Sequence, residues 1–257
     1  MDSFATAFAE AGALLVSFDP DFLSIVGLSL RVSLTAVALA CLIGFPLGAL
    51  VALARFPGRG VIVLLLNTFM GLPPVVVGLI VFLLLSRAGP LGVLGLLFTP
   101  TAMIIAQTIL VTPIVAALTR QIVADLWVEY GEHLRSLDAG PVTTMATLIT
   151  DARYSLATVV LAGFGRAIAE VGAVMIVGGN IDHATRVMTT AIALETSKGN
   201  LSTALGLGIV LLLLALAVNA AVQIINASAS RRAVSPLCGF RRVPCPTTTT
   251  PVSSAGS

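Results

Sequence analysis

The segment EYGEHLRSLDAGPVTTMATLITDAR (residues 129–153) runs directly into YSLATVVLAGFGRAIAEVGAVMIVGGN (residues 154–180). The first part is the one long charged loop of the chain, and its amphipathic character predicts one or two short helices lying at a membrane face. The second part is apolar over about 20 residues, the length that crosses a bilayer as a helix. A polar segment of this size beside a membrane span suits docking to a partner better than chemistry.

The composition of the whole chain favours a membrane protein made of helices. Of its 257 residues, 57% are hydrophobic and 10% are charged, and the mean hydropathy is +1.05. These values exclude a soluble core of this length. Aromatic residues make up 5%, with 23 Gly and 13 Pro, which is typical of closely packed helices and not of a lipid-facing barrel. The predicted fold class is an all-α membrane protein with multiple spans.

Apolar runs predict five transmembrane helices, at residues 32–53, 61–85, 101–118, 155–177 and 204–225. The second run is interrupted by GLPPVVVGL, which contains Gly71, Pro73 and Pro74. Two successive prolines remove two backbone donors, so a bend is predicted at this point.

Three regions follow from these spans. Residues 1–24 carry four acidic residues and no Lys or Arg, and they predict an extracytoplasmic interfacial helix that is too short to span. No basic stretch precedes it, so the first span is expected to serve as an uncleaved signal. Residues 25–226 form the transmembrane domain, with a cytoplasmic loop at 119–154. The tail, residues 227–257, is rich in Ser, Thr and Pro and is predicted to be disordered in the cytoplasm.

Basic residues orient the spans. With the N-terminus outside and the C-terminus in the cytoplasm, the outer segments hold three basic residues, Arg87, Arg186 and Lys198. The inner segments hold nine, which are Arg55, Arg59, Arg120, Arg135, Arg153, Arg231, Arg232, Arg241 and Arg242. Because cytoplasmic loops are enriched in Lys and Arg, this orientation is predicted.

The sequence offers no sign of catalysis. Cys41, Cys238 and Cys245 lack the spacing of a metal site, and no cofactor or nucleic-acid partner is expected. An ATP-binding loop needs a Gly-Lys pair, whereas the single lysine, Lys198, follows Ser197. We therefore expect a chain that is not an enzyme, for which any ATP-driven energy comes from a separate ATPase.

Two charges in the middle of the fourth span form the first candidate site. Arg166 and Glu170 are four residues apart and can pair on one helix face. They are either a structural ion pair or part of a translocation path or gate, because ionisable groups at mid-membrane normally face a bundle interior, a cavity or each other. The bend at Pro73 and Pro74 belongs to the same hypothesis. So do the hydroxyls of Thr189 and Thr190, which are candidate hydrogen-bond donors on such a path, although an ordinary loop explains them equally well.

The polar segment resembles the EAA loop of permease subunits in bacterial ABC importers. Glu132 takes the position of the Glu in that pattern, and Asp138 takes the position of the Gly six residues later. His133 and Leu134 replace the small residues that follow the Glu, and Thr150-Asp151 replaces a Leu-Pro pair. The resemblance implies that this loop docks on an ATPase through Glu132, Leu137, Asp138, Ala139 and Gly140.

A larger part of the chain, about residues 22–225, is similar to the molybdate and sulfate permeases and most closely to tungstate permeases. The segments that carry this resemblance are GLPPVVVGLIVFLLLSRAGPLG, LLFTPTAMIIAQTILVTPIVAAL, ARYSLATVVLAGFGRAIAEVGAVMIVGGNI and TRVMTTAIALETSKG. It implies a homodimeric permease in the bacterial inner membrane, in contact with lipid, two cytoplasmic ATPase subunits and an extracytoplasmic oxyanion-binding protein. The alternatives are molybdate or sulfate as the ion, or a membrane scaffold with a cytoplasmic docking loop.

Overall fold

The computed structural model describes residues 20–54 and 56–234, and only the backbone of residues 222 and 225–234. Helices fill most of this part of the chain, and it contains no strand. The helices are α1 (Pro20–Leu53), α2 (Arg59–Met70), α3 (Pro74–Leu85), α4 (Pro100–Ser136), α5 (Pro141–Asp151), α6 (Arg153–Ile168), α7 (Gly172–Gly178), α8 (Met188–Lys198) and α9 (Leu201–Val234), with a 3-10 turn at Gly92–Leu94. The predicted all-α membrane class is confirmed.

Three helices, α1, α4 and α9, are each long and apolar enough to cross a membrane. The pairs α2–α3 and α6–α7 are each bent, by 99° and 57°, at short breaks. If each bent pair is one span, the described residues hold five spans, in agreement with the predicted number. The bend predicted at Pro73 and Pro74 lies at the α2–α3 break.

Several boundaries differ from those expected from the sequence. The third membrane helix does not end at residue 118, because α4 continues to Ser136 and includes the first half of the predicted loop. Residues 20–24 belong to α1 and are continuous with the first span, while residues 1–19 lie outside the described residues. The backbone of α9 is helical to Val234, so helix replaces the first part of the predicted disordered tail. The remainder, residues 235–257, also lies outside the described part.

Helices α1 and α4 form the most extensive helix pair. Their backbones approach closely because two glycines of α1 face α4. A Cβ at Gly44 would lie 2.7 Å from Cγ1 of Val115, and one at Gly48 would lie 2.5 Å from the carbonyl oxygen of Ala116. Small residues at a helix contact are a common basis of packing in membranes, where lipid tails are as apolar as the side chains.

The two helix breaks lie beside each other. Helices α3 and α7, which follow the breaks, pack together, and a Cβ at Gly78 would lie 2.7 Å from Cα of Ala173. At the start of the same pair, a Cβ at Gly172 would lie 2.9 Å from Cγ2 of Val75. The Pro73-Pro74 bend and the Arg166–Glu170 region are therefore neighbours, although about a hundred residues separate them in the sequence.

Candidate functional site

The α6–α7 break is built around one ion pair. Arg166 lies in the last turn of α6, and Glu170 follows the helix end. Arg166 Nη1 donates to Glu170 Oε2 at 2.7 Å, with the side chains 32% and 3% exposed. The cation is thus at the C-terminal end of one helix and the anion at the start of the next, where helix dipoles favour each sign. Arg166 extends from a buried carboxylate to the protein surface.

Backbone groups that the break frees are bound by side chains. Glu170 Oε1 accepts a hydrogen bond from the amide of Ala173 at 3.1 Å. Gln107 of α4 donates its Nε2 to the carbonyl of Ala167 at 3.1 Å, and Thr189 of α8 donates its hydroxyl to the carbonyl of Glu170 at 2.8 Å. Irregular backbone at membrane depth is tolerated where neighbouring helices supply such partners.

A small polar cavity of about 10 Å³ lies beside the break, and Ser29, Ser33, Gln107, Glu170 and Thr189 contribute to its lining. This volume accommodates about one water molecule. The Oε1 of Gln107 is buried and has no partner in the described part of the chain. In this conformation the cavity is too small to hold a tetrahedral oxyanion.

The two threonines predicted as anion donors are buried, with Thr189 7% exposed and Thr190 0%. The hydroxyl of Thr189 donates to Glu170, as described above. The hydroxyl of Thr190 donates to the carbonyl of Val187 at 3.0 Å and accepts from the amide of Val187 at 3.1 Å. Both hydroxyls therefore act in the folded chain by fixing the start of α8. A role in the path stays a prediction for both.

The prolines occupy the α2–α3 break. Pro73 precedes α3 with an extended backbone and Pro74 is the first residue of α3, a position where a missing amide hydrogen costs nothing. They lie at the start of α3, where the next residue, Val75, faces Gly172, two residues after Glu170. The structure thus brings together four of the six residues predicted for the path, and Thr189 joins them through its bond to Glu170.

The residues predicted to dock on a partner lie in a second region, the junction of α4 and α5. Glu132 is exposed in the last turns of α4, and Leu137 is 75% exposed at the helix end. Asp138 has a φ of +49°, and the amide of Ala139 closes the turn on the carbonyl of Leu134 at 3.1 Å. Gly140 precedes α5. A left-handed residue favours Gly, and Asp tolerates it better than most, which explains physically why Asp138 can replace the Gly of the EAA pattern.

Residues 44–232 match the family described as "binding-protein-dependent transport system inner membrane component". The chain belongs to this family. The resemblance expected from the sequence is confirmed, and so is the expectation of a multi-pass transport subunit of the inner membrane.

Individual family members extend the match. The chain is 43% identical over 222 residues to the tungstate uptake system permease protein TupB of Peptoclostridium acidaminophilum, covering 86% of this chain and 97% of the relative. It is 40% identical over 219 residues to TupB of Campylobacter jejuni, covering 85% and 92%. It is 45% identical over 203 residues to a probable anion ABC transporter permease protein of Haloferax volcanii, covering 77% and 87%. Sulfate and molybdenum transport permeases match at lower identity.

Two residues of this family member were not found by sequence reasoning. Gln107 stabilises the α6–α7 break, and Thr185 fixes the turn after α7 by donating to the carbonyl of Gly178 at 2.6 Å. Gln107 did leave a signal, because a lone amide in the apolar run AMIIAQTILV normally faces the bundle interior. Among the described residues, no group of three His, Cys, Asp or Glu side chains could hold a metal ion.

Proposed function

We propose that this chain is the membrane-spanning permease subunit of an ATP-driven importer that moves tungstate into the cell. The observation that carries this proposal is the 40–43% identity to two tungstate uptake permeases over more than nine tenths of their length. Membership of a transport family favours this function over a membrane scaffold.

We propose that the junction of α4 and α5 is the docking site for the ATPase. With 37 residues, α4 is about 55 Å long at 1.5 Å per residue, whereas the hydrocarbon core is about 30 Å thick. Its end therefore projects from the membrane and carries Glu132. Beyond it, Leu137 and Val142 are 75% and 74% exposed. Two exposed apolar side chains beside a carboxylate suit insertion into a groove on a partner protein.

We propose further that the oxyanion passes along a face shared by two copies of the chain. The internal cavity of about 10 Å³ excludes an oxyanion, but Arg166 reaches the surface beside the two helix breaks. Val75, Val76 and Leu79 of the adjacent helix α3 are 46–56% exposed, so an apolar surface extends next to this arginine. A second copy covering it would enclose Arg166 near the path, where one guanidinium N–H already binds Glu170 and others remain for an anion.

Reconstitution tests this function. The chain, its ATPase and its extracytoplasmic binding protein are placed in liposomes, and the uptake of tungstate, molybdate and sulfate is measured by elemental mass spectrometry. We expect ATP-dependent uptake with tungstate preferred. Preference for molybdate or sulfate would assign the alternative ion, and an intact complex without uptake of any of the three would favour a scaffold. Isothermal titration of the binding protein with the same three ions shows whether that protein, and not the permease, selects the ion.

A further inference from the structure

A second cavity, of about 330 Å³, lies at the opposite end of the molecule from the α4–α5 junction. It is formed between the first turns of α1 and the turn that precedes α8. Arg31, His183 and Arg186 line it together with Ser24, Ile25, Gly27, Leu28 and Ala184. The lining thus combines two permanent cations and one titratable side chain with a small apolar wall.

The length of α1 places this cavity at the membrane surface. The helix has 34 residues, about 51 Å at 1.5 Å per residue, which exceeds a hydrocarbon core of about 30 Å. Its other end is fixed by Arg59, which donates to the carbonyls of Val51 and Ala52, both at 2.9 Å. Measured from that end, a core of about 20 residues ends close to Arg31. The residues before Arg31 therefore lie among headgroups and water.

The turn opposite α1 is held in a fixed shape. Thr185 is fully buried, and its hydroxyl donates to the carbonyl of Gly178 and accepts from the amide of Ile181 at 2.9 Å. The amide of Arg186 donates to the carbonyl of Ile181 at 3.0 Å. His183 has a left-handed φ of +53°, a conformation that surrounding structure must enforce. His183 and Arg186 are thus presented to the cavity by a preorganised turn.

The cations of the cavity are incompletely neutralised. Arg31 is exposed and has no acidic partner among the described residues. Arg186 binds Asp182 through Nη1 at 2.7 Å, while its Nε is buried and has no acceptor in the described part of the chain. Nδ1 of His183 lies 3.9 Å from Asp21. Asp182, Asp21 and Glu195, whose carboxylate interacts electrostatically with Arg186, offset part of the positive charge. The donors without a hydrogen-bond acceptor among the described residues belong to Arg31 and to the remaining N–H groups of Arg186.

We propose that this cavity binds a tetrahedral oxyanion of the phosphate type through Arg31 and Arg186. Guanidinium donors match the spacing of such oxygens, and a turn with fixed backbone lowers the cost of ordering the site. The oxyanion comes either from the headgroup of an anionic phospholipid or from free ions outside the cell. The site is separate from Arg166, and it does not depend on which ion the chain transports.

The test uses the full chain in lipid nanodiscs. In the first arm, nanodiscs of phosphatidylcholine alone are titrated calorimetrically with inorganic phosphate. In the second arm, no ion is added, and native mass spectrometry counts the phosphatidylglycerol retained from nanodiscs that mix it with phosphatidylcholine. Arg31→Gln and Arg186→Gln are compared with Arg87→Gln, which removes an exposed arginine of another outer loop. Asp182→Asn is added because it releases the Nη1 of Arg186 without removing the cation.

We expect Arg31→Gln to weaken binding about tenfold, or about 1.4 kcal/mol, because it removes a charged hydrogen-bond donor to the anion. Asp182→Asn should strengthen binding, and Arg87→Gln should leave it unchanged. A loss of phosphate affinity identifies a site for free ions, and a loss of retained phosphatidylglycerol identifies a lipid site. Two results would overturn the proposal. One is equal binding by wild type and Arg31→Gln in both arms, and the other is a loss of binding in Arg87→Gln as large as the loss in Arg31→Gln. Uptake assays of the same variants test transport separately.

Discussion

Glu170 joins three elements at the scale of one residue. Its two carboxylate oxygens bind the side chain of Arg166 and the amide of Ala173, and its carbonyl accepts the hydroxyl of Thr189. Removing the carboxylate thus removes both an ion pair and the bond that caps α7. The two losses can be separated, because Gln keeps an oxygen for Ala173 but carries no charge.

The first prediction concerns the charge balance of this pair. Arg166→Leu should lower the free energy of unfolding by roughly 3–5 kcal/mol, because it leaves a buried carboxylate without its cation. Adding Glu170→Gln should restore most of this loss, since the buried charge is gone and the bond to Ala173 is kept. The measurement is the amount of folded permease and its thermal unfolding in detergent.

The same variants separate a structural pair from a gate. If the double variant Arg166→Leu, Glu170→Gln folds and transports normally, the pair is structural. If it folds and assembles with the ATPase but takes up no oxyanion, a role in the path holds. If the single variant Arg166→Leu is as stable as the wild-type protein, the two charges are not coupled. Arg87→Leu, at an exposed arginine between α3 and α4, is the control for loss of a cation elsewhere.

Single residues also show what the sequence could reveal. A spacing of four residues predicted that Arg166 and Glu170 could meet, and their atoms are 2.7 Å apart. Local spacing could not identify Gln107 as the partner of Ala167, because the two are 60 residues apart. It also could not show that the hydroxyls of Thr189 and Thr190 are occupied by backbone groups, since that depends on how α8 packs.

At the scale of elements, proline alone did not determine where helices break. Pro73 and Pro74 lie at the 99° bend, but Pro46 and Pro113 lie inside the continuous helices α1 and α4. The α6–α7 break contains no proline, and Gln107, Thr189 and Glu170 stabilise it by binding its free backbone groups. Tandem prolines after Gly71 gave a local signal, whereas the second break depends on tertiary partners that sequence periodicity does not report.

The second prediction concerns the α1–α4 contact. Gly48→Ala should destabilise the permease by about 1–3 kcal/mol, the usual cost of overpacking, because its Cβ would lie 2.5 Å from the carbonyl oxygen of Ala116. Gly208→Ala in α9 is the matched control, because no atom lies within 4 Å of the added Cβ. The measurement is the thermal unfolding midpoint of the purified chain. Equal midpoints for the two variants would show that α1 and α4 do not pack this closely.

At the scale of the whole molecule, two long helices set the position in the membrane. Helices α1 and α4 have 34 and 37 residues, so each is longer than a hydrocarbon core of about 30 Å, and we propose that they extend beyond it at the ends that carry the Arg31 cavity and Glu132. The two sequence arguments, apolar length and basic residues, predicted the number of spans and an orientation. They could not predict these extensions, because a helix that leaves the bilayer can become polar without changing its backbone.

The last prediction is the orientation itself. Nine basic residues on one side, against three in the loops of the other side and Arg31 at its surface, predict that the α4–α5 junction is cytoplasmic and that residue 87 is outside. Arg87 and Ser136 are both exposed, so each is replaced singly by cysteine in a chain whose three native cysteines are changed to alanine. Intact spheroplasts are treated with a membrane-impermeant maleimide. We expect labelling at position 87 and labelling at position 136 only after the membrane is broken. The reverse pattern would place Glu132 outside, where no cytoplasmic ATPase could reach it, and would contradict the docking proposal together with the orientation.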